Sequence, residues 1–411
     1  MIKYEKFILE NGLRVIVHPD NSTPIAAVNI IYNVGAKDEH PDKTGFAHLF
    51  EHLMFGGSAN IPDYDMPLQK AGGENNAFTN NDFTNYYISL PYQNLETAFW
   101  LESDRMLNLA FSEKSLDVQR NVVMEEYKQH YLNQPYGDYW LLLRPLVYKV
   151  HPYQWATIGK DISHIANAVM DDVRNFYQRF YNPCNAILCV AGNVSVSQVK
   201  RLAKKWFGPI PSGTPYLRNL PAEPVQTEGR SLIVERDVPF DVITLAYHMG
   251  GRLHGDYYTA DLLSDVLSSG DSSRLYQSLV KNKRLFTEMD AYISGDIDNG
   301  LFMFYGKPVA GVSLEQAQEA IIQEIELVKI TPPGKEEMEK VQNRAESGLE
   351  FSNLSVLNKA MKLSMAELLG DIELANDEIS RFRAVKSSDC TEFARRIFSA
   401  SNCSTLFYKA K

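Results

Sequence analysis

Hydrophobic and polar positions first separate this chain into strands and helices. Residues 13–18 (LRVIVH) and 25–32 (IAAVNIIY) are rich in β-branched residues and flank the turn-like DNSTP, which predicts two strands. GAKDEHPDKTG then reads as a loop. Phe46 to Phe55 has helical apolar spacing, with Gly56-Gly57 as its C-terminal stop. GGENNAFTNNDFTNYYISLP predicts two strands joined by the polar NND as a hairpin. Helical spacing follows over 93–132 and 170–181, then a short buried strand in AILCVAGNV (186–194), then another helix over 195–207.

The pattern breaks at 207–229, FGPIPSGTPYLRNLPAEPVQTEG, where five prolines and little periodicity mark a domain boundary. Beyond it the order of strand, strand, loop and helix repeats. NIIYNVGAKDE has a counterpart in TLAYHMGGRLH at an offset of 215, setting Tyr32-Asn33-Val34-Gly35 over Tyr247-His248-Met249-Gly250. The expectation is an α+β chain of two similar domains, each a mostly antiparallel sheet packed with helices. They comprise residues 1–210, a linker at 211–229, and residues 230–411.

Composition narrows the function classes. A length of 411 residues with 45% hydrophobic and 22% charged positions suits a globular protein with more than one core. A net charge of −10 and no obvious basic patch argue against nucleic-acid binding. No segment reads as a signal peptide or a membrane span. Four cysteines (Cys184, Cys189, Cys390, Cys403) are too few for a disulfide scaffold, so a cytoplasmic, reducing location is expected, and a periplasmic one if a signal segment has been removed.

The candidate chemistry lies in HLFEH, residues 48–52. Positions i, i+3 and i+4 share one helix face, so His48 and His52 can turn their imidazoles toward one ion. Glu51, on the same side, can take a proton from water activated by that ion. The flanking Leu49, Phe50, Leu53, Met54 and Phe55 make three ionisable groups costly there without a metal or strong partners. A third protein ligand is needed. QRNVVMEEYKQH (119–130) offers Glu125 and Glu126 side by side. At the 215 offset, His48, Glu51 and His52 fall on Leu263, Val266 and Leu267, so the second copy lacks this chemistry.

The HxxEH motif, followed about 75 residues later by a helix of the form xRxVVxxE, resembles the pitrilysin/insulinase family of inverted-zincin metallopeptidases. The nearest branch is similar to the catalytic subunit of mitochondrial processing peptidase and its bacterial relatives. The resemblance implies half of a clam-shell built from two domains. It implies zinc held by His48, His52 and Glu126, with Glu51 as general base and Glu125 as a neighbour that is either solvated or supports the ligands from behind. Where the family has a supporting Glu, this chain has Gln119, and Glu74 is a possible source of the missing charge. Asn76, Ala77 and Phe78, with Thr79, match the edge strand on which the family lays an extended peptide.

The family's proteolytic members also use an Arg and a Tyr from the non-metal half. Here those positions carry Val280 and Thr287. Arg274 and Tyr276 stand nearby, but SRLY reads as the start of a packed helix with Arg274 pairing locally. The resemblance therefore implies a zinc endopeptidase for short or unfolded polypeptides. A homologous partner subunit supplies the Arg/Tyr pair in a heterodimer, or a second copy closes a homodimer. The rival expectation is a non-proteolytic peptide-binding or structural subunit of a larger complex. A zinc hydrolase of non-peptide amides has only the metal motif in its favour.

Overall fold

The computed structural model describes residues 1–411. They form two compact units. The first comprises Met1–His130, Trp155–Pro221 and Glu350–Asn376, and the second Tyr131–Gln154, Ala222–Leu349 and Asp377–Lys411. The passage at Pro221/Ala222 falls within the Pro-rich segment, but the contiguous division at 210 and 230 needs correction. Each half of the chain gives one segment to the other unit. Helix Val356–Leu368 buries Ala360 and Leu363 against Ile16, Ala27, Ile187 and Cys189 of the first sheet. Helix Tyr139–Val147 buries Leu143 and Val147 against Val242, Ala246, Met303 and Leu406 of the second. Helical periodicity shows that such a segment has an apolar face, but not which sheet that face covers.

The first sheet contains β1 (Glu5–Ile8), β2 (Arg14–Pro19), β3 (Ile25–Tyr32), β4 (Glu74–Thr79), β5 (Thr84–Pro91) and β6 (Ala186–Gly192). Their order is β1-β2-β6-β3-β5-β4. The second contains β7 (Arg230–Arg236), β8 (Val242–His248), β9 (Phe286–Ile293), β10 (Leu301–Pro308) and β11 (Cys403–Ala410), in the order β7-β11-β8-β10-β9. With β1 set aside, the two sheets have one topology. β2 runs parallel to β6 as β7 does to β11, and the remaining pairs are antiparallel. The fold is thus a duplicated α+β architecture. β4 and β9 occupy equivalent edges, and an edge strand keeps one row of backbone groups unpaired.

Local chemistry explains the elements around the site. The β4–β5 hairpin turns where Asn80 Oδ1 accepts hydrogen bonds from the amides of Asp82 and Phe83. The helical stretch expected over 93–132 is divided. Leu95–Asn108 ends, Ser112 caps a second helix by accepting from the Ser115 amide, and Glu113–Tyr127 follows. A π turn at Lys128–Leu132 closes it. No helix is long and apolar enough to cross a membrane. All four cysteines are free.

Candidate metal centre

Helix α1 (Phe46–Met54) buries Phe46, Ala47, Leu49, Phe50, Leu53 and Met54 and leaves His48, Glu51 and His52 half-buried. Its inner face is aromatic, with Phe50 packed on Tyr181 at 4.4 Å and on Tyr177 at 5.9 Å between centroids. The residue before it, Gly45, has φ of +87° and cannot cap with a side chain. A Cβ there would lie 2.6 Å from the Ile158 carbonyl oxygen, so only glycine fits. Glu39 takes over the capping. Its Oε2 accepts from the Gly45 amide and its Oε1 from the Ala47 amide, at 2.9 and 2.8 Å. Burial pushes the Glu39 carboxyl up, and the two amides work against that rise.

Helix Glu113–Tyr127 packs against α1 and turns Glu126 toward both histidines. Glu126 Oε2 lies 3.4 Å from His52 Nε2, and Oε1 lies 3.7 Å from His48 Nε2. One donor atom from each of the three residues lies within 4.8 Å of the others. A tetrahedral zinc with ligand bonds near 2.0–2.1 Å has ligand–ligand edges of about 3.3–3.4 Å. The 3.4 Å separation from His52 is close to that figure, and His48 approaches the other carboxylate oxygen at 3.7 Å. Protonation also suits a metal. Burial lowers the His48 pKa to about 4, favouring the neutral imidazole, while the hydrogen bond to His52 holds Glu126 low as a carboxylate. The two-imidazole, one-carboxylate set therefore fits zinc. Glu125 turns away, exposed, with its Oε1 2.6 Å from Lys128 Nζ.

Glu51 sits between the histidines and the hairpin. Burial pushes its carboxyl up, and the polar groups of Thr79 at the end of β4 oppose this. Helix α1, which carries the base, packs against the edge strand β4. Asn76 and Phe78 are exposed on β4 and Ala77 is half-buried. Asn76 Oδ1 accepts from the Ala77 amide at 2.8 Å, a local bond that an added strand can replace.

Other expectations fare differently. Gln119 lies seven residues before Glu126, about 10 Å along the helix axis, and bonds neither histidine. His48 Nδ1 is buried without a hydrogen-bond partner. Glu74 is exposed at the start of β4. Arg274 is held locally by Glu337, with bonds of 2.7 and 2.8 Å, and by the carbonyls of Thr331 and Pro332. Thr287 donates from its hydroxyl to the Lys307 carbonyl. In the second unit, helix Tyr257–Ser268 fully buries Leu263, Val266 and Leu267. Its half-buried positions are Asp261, Asp265 and Ser268, and the first two stand four apart, as His48 and His52 do. Lys340 and Arg344 face Asp265 from a neighbouring helix. A metal-type donor set in one unit corresponds to two half-buried carboxylates near basic side chains in the other.

Sequence reasoning missed two features. Glu39 lies in a loop full of charge, where nothing local distinguishes it. Arg105 and Glu102 form a fully buried pair, at 2.9 and 2.7 Å, with the guanidinium 4.4 Å from the Tyr86 ring centroid and 5.8 Å from that of Phe55. Their i,i+3 spacing was a signal, but it commonly marks a solvated helix face.

Fold and site together define a duplicated α+β protein with an HxxEH donor set on the first unit only. Residues 14–136 match the family model for insulinase (peptidase family M16), and 167–345 match that for the peptidase M16 inactive domain. The zinc protease PqqE of Helicobacter pylori is 30% identical over 99% of this chain and 93% of its own length. An uncharacterized zinc protease of Bacillus subtilis, YmxG, is 25% identical over 97% and 96%. The crystal structure of a protease from Helicobacter pylori superposes with a TM-score of 0.93 at 29% identity, covering 100% of both chains. The chain belongs to the pitrilysin/insulinase family, M16, of two-domain zinc-protease relatives.

Proposed function

We propose that this chain is a zinc-dependent endopeptidase for short or unfolded polypeptides, with His48, His52 and Glu126 as metal ligands and Glu51 as general base. The observation that carries the reading is the convergence of His48, His52 and Glu126 beside Glu51, with helix α1 packed against the edge strand β4. Zinc held there supplies a Lewis acid for the scissile carbonyl and lowers the pKa of water. An extended peptide adds to the open edge of β4 along Asn76, Ala77 and Phe78, which brings a peptide carbonyl toward Glu51. The Glu51 carboxylate takes a proton from the attacking water and delivers it to the leaving amine nitrogen. The upward push from burial makes the Glu51 carboxylate a stronger proton acceptor than an ordinary exposed one.

The oxyanion half of the site is assigned to a partner. Val280 and Thr287 cannot supply a guanidinium and a phenol, so a homologous subunit brings the Arg/Tyr pair in a heterodimer, in preference to a second copy of this chain. The same absence favours one alternative, a peptide-binding subunit that does not cut. The test measures zinc per chain and cleavage of a fluorogenic peptide by wild type and Glu51→Gln, with and without the co-expressed partner. Zinc-loaded protein that cleaves under neither condition would sink the peptidase. Cleavage by the isolated chain would remove the partner requirement.

A further inference from the structure

We propose that the buried charged run Lys37-Asp38-Glu39 is a positioning device, which sets the distance between the metal helix and the peptide-receiving hairpin. The inference rests on the function proposed above. Three consecutive side chains, two on the 3₁₀ turn Ala36–Asp38 and the third on Glu39 just after it, reach toward three different elements. Glu39 caps α1 through two backbone amides, as described. Lys37 Nζ lies 2.7 Å from Asp82 Oδ1 at the tip of the β4–β5 hairpin, with both side chains buried. Asp38 is gripped by the Arg218 guanidinium at 2.7 Å on each oxygen and accepts from the Tyr216 hydroxyl at 3.1 Å. Arg218 reaches on to the Asp82 carbonyl at 3.3 Å, so hairpin tip and turn share one clamp.

Backbone contacts reinforce the side chains. The Ala36 and Lys37 amides donate to the carbonyls of Asn80 and Asn81 at 3.1 and 2.9 Å. A Cβ on Gly35 would lie 2.6 Å from the backbone of Asn81 and Asp82, so turn and tip meet at glycine distance. Trp155 Nε1 donates to the Ala36 carbonyl at 2.9 Å and fixes the turn from another side.

A buried ion pair is weak as a source of stability, because desolvation offsets the Coulomb gain. Its directional bonds are well suited to holding two elements at one spacing, and here the elements are α1 and β4. The spacing matters because Glu51 on α1 must meet a peptide lying on β4, and a misplacement of about 1 Å can cost about a hundredfold in rate. Lys37, Asp38, Glu39 and Arg218 touch no reacting atom, so they are positioning residues.

The experiment uses full-length zinc protein in a Glu51→Gln background, which retains peptide uncut. Zinc affinity is read by competition with a chromogenic chelator. Affinity for a fluorescein-labelled unstructured peptide is read by anisotropy. Lys37→Met is expected to weaken peptide binding about tenfold with zinc affinity unchanged, and Lys37→Arg to restore most of it. Glu39→Gln is expected to weaken zinc binding about tenfold, the cost typical of losing an outer support. Where Lys37→Met does not fold, Gly35→Ala, which lifts the turn off the tip, takes its place with the same expectation. Variants that fold, melt earlier and keep both affinities would show a purely structural role and overturn the proposal. If the parent binds zinc but no peptide, the peptidase reading fails, and unchanged zinc affinity in Glu39→Gln then overturns the positioning role independently.

Discussion

Glu126 Oε2 lies 3.4 Å from His52 Nε2, whereas Glu125, one residue earlier, faces solvent and pairs with Lys128. A shift of one residue rotates a helical side chain by about 100°, so only one of these carboxylates can face α1. Glu126→Ala is expected to cost more zinc affinity than the roughly 10–100-fold typical of losing an outer hydrogen-bond partner. Glu125→Ala should leave it unchanged. Zinc per chain, measured after dialysis against a weak chelator, decides between them.

Glu51 carries a stability cost in the metal-free protein. Burial raises its pKa in the folded state, so the folded form favours the protonated carboxyl. The sign follows from linkage. Stability associated with this group is fully present below its unfolded pKa and is lost as pH rises through the folded value. Glu51→Gln should therefore raise the melting temperature of the apo-protein at pH 7, with the gain disappearing on acidification. An equal or lower melting temperature at pH 7 would contradict the assigned environment. A function that requires a strained ionised base explains why such a residue stands there.

Much of the candidate site was legible because HLFEH lies on a single nine-residue helix, where spacing alone dictates which side chains share a face. Glu126 needed the family register as well, since Glu125 and Glu126 are equivalent in composition. The clamp around α1 was not legible. Arg218 meets Asp38 across 180 residues, and neither has a local pattern that announces the other. The exchanged helices failed for a related reason. Val356–Leu368 and Tyr139–Val147 show apolar faces in sequence, but the choice of sheet depends on long-range packing. The 215 offset is not kept from strand to helix because loop lengths differ between the copies. Tyr32 and Phe46 are 14 positions apart, His248 and Tyr257 nine.

The Glu102–Arg105 pair supports the aromatic layer behind the metal helix. Both side chains are almost fully buried, and Tyr64 donates from its hydroxyl to Glu102 at 2.7 Å. Glu102→Gln leaves a buried guanidinium without its counter-charge, which typically costs about 3–5 kcal/mol. The urea midpoint of the first unit's unfolding transition should fall accordingly. A loss below about 1 kcal/mol, the range of exposed pairs, would show that Arg105 reaches solvent or another acid.

Arg274 tests whether this chain has found its own replacement for the missing guanidinium. Its Nε and Nη2 are both committed to Glu337, and Nη1 and Nη2 to the carbonyls of Thr331 and Pro332. Leaving those partners to meet a substrate would abandon a carboxylate, itself held low chiefly by the bond from Arg274, and two carbonyl oxygens. The expected phenotype of Arg274→Ala is therefore a loss of stability in the second unit with peptide turnover unchanged per folded, zinc-loaded chain. Steady-state kinetics on protein quantified for both zinc and native fold make the comparison. A fall in kcat at unchanged KM and full zinc content would place Arg274 at the oxyanion and remove the reason for assigning that role to a partner.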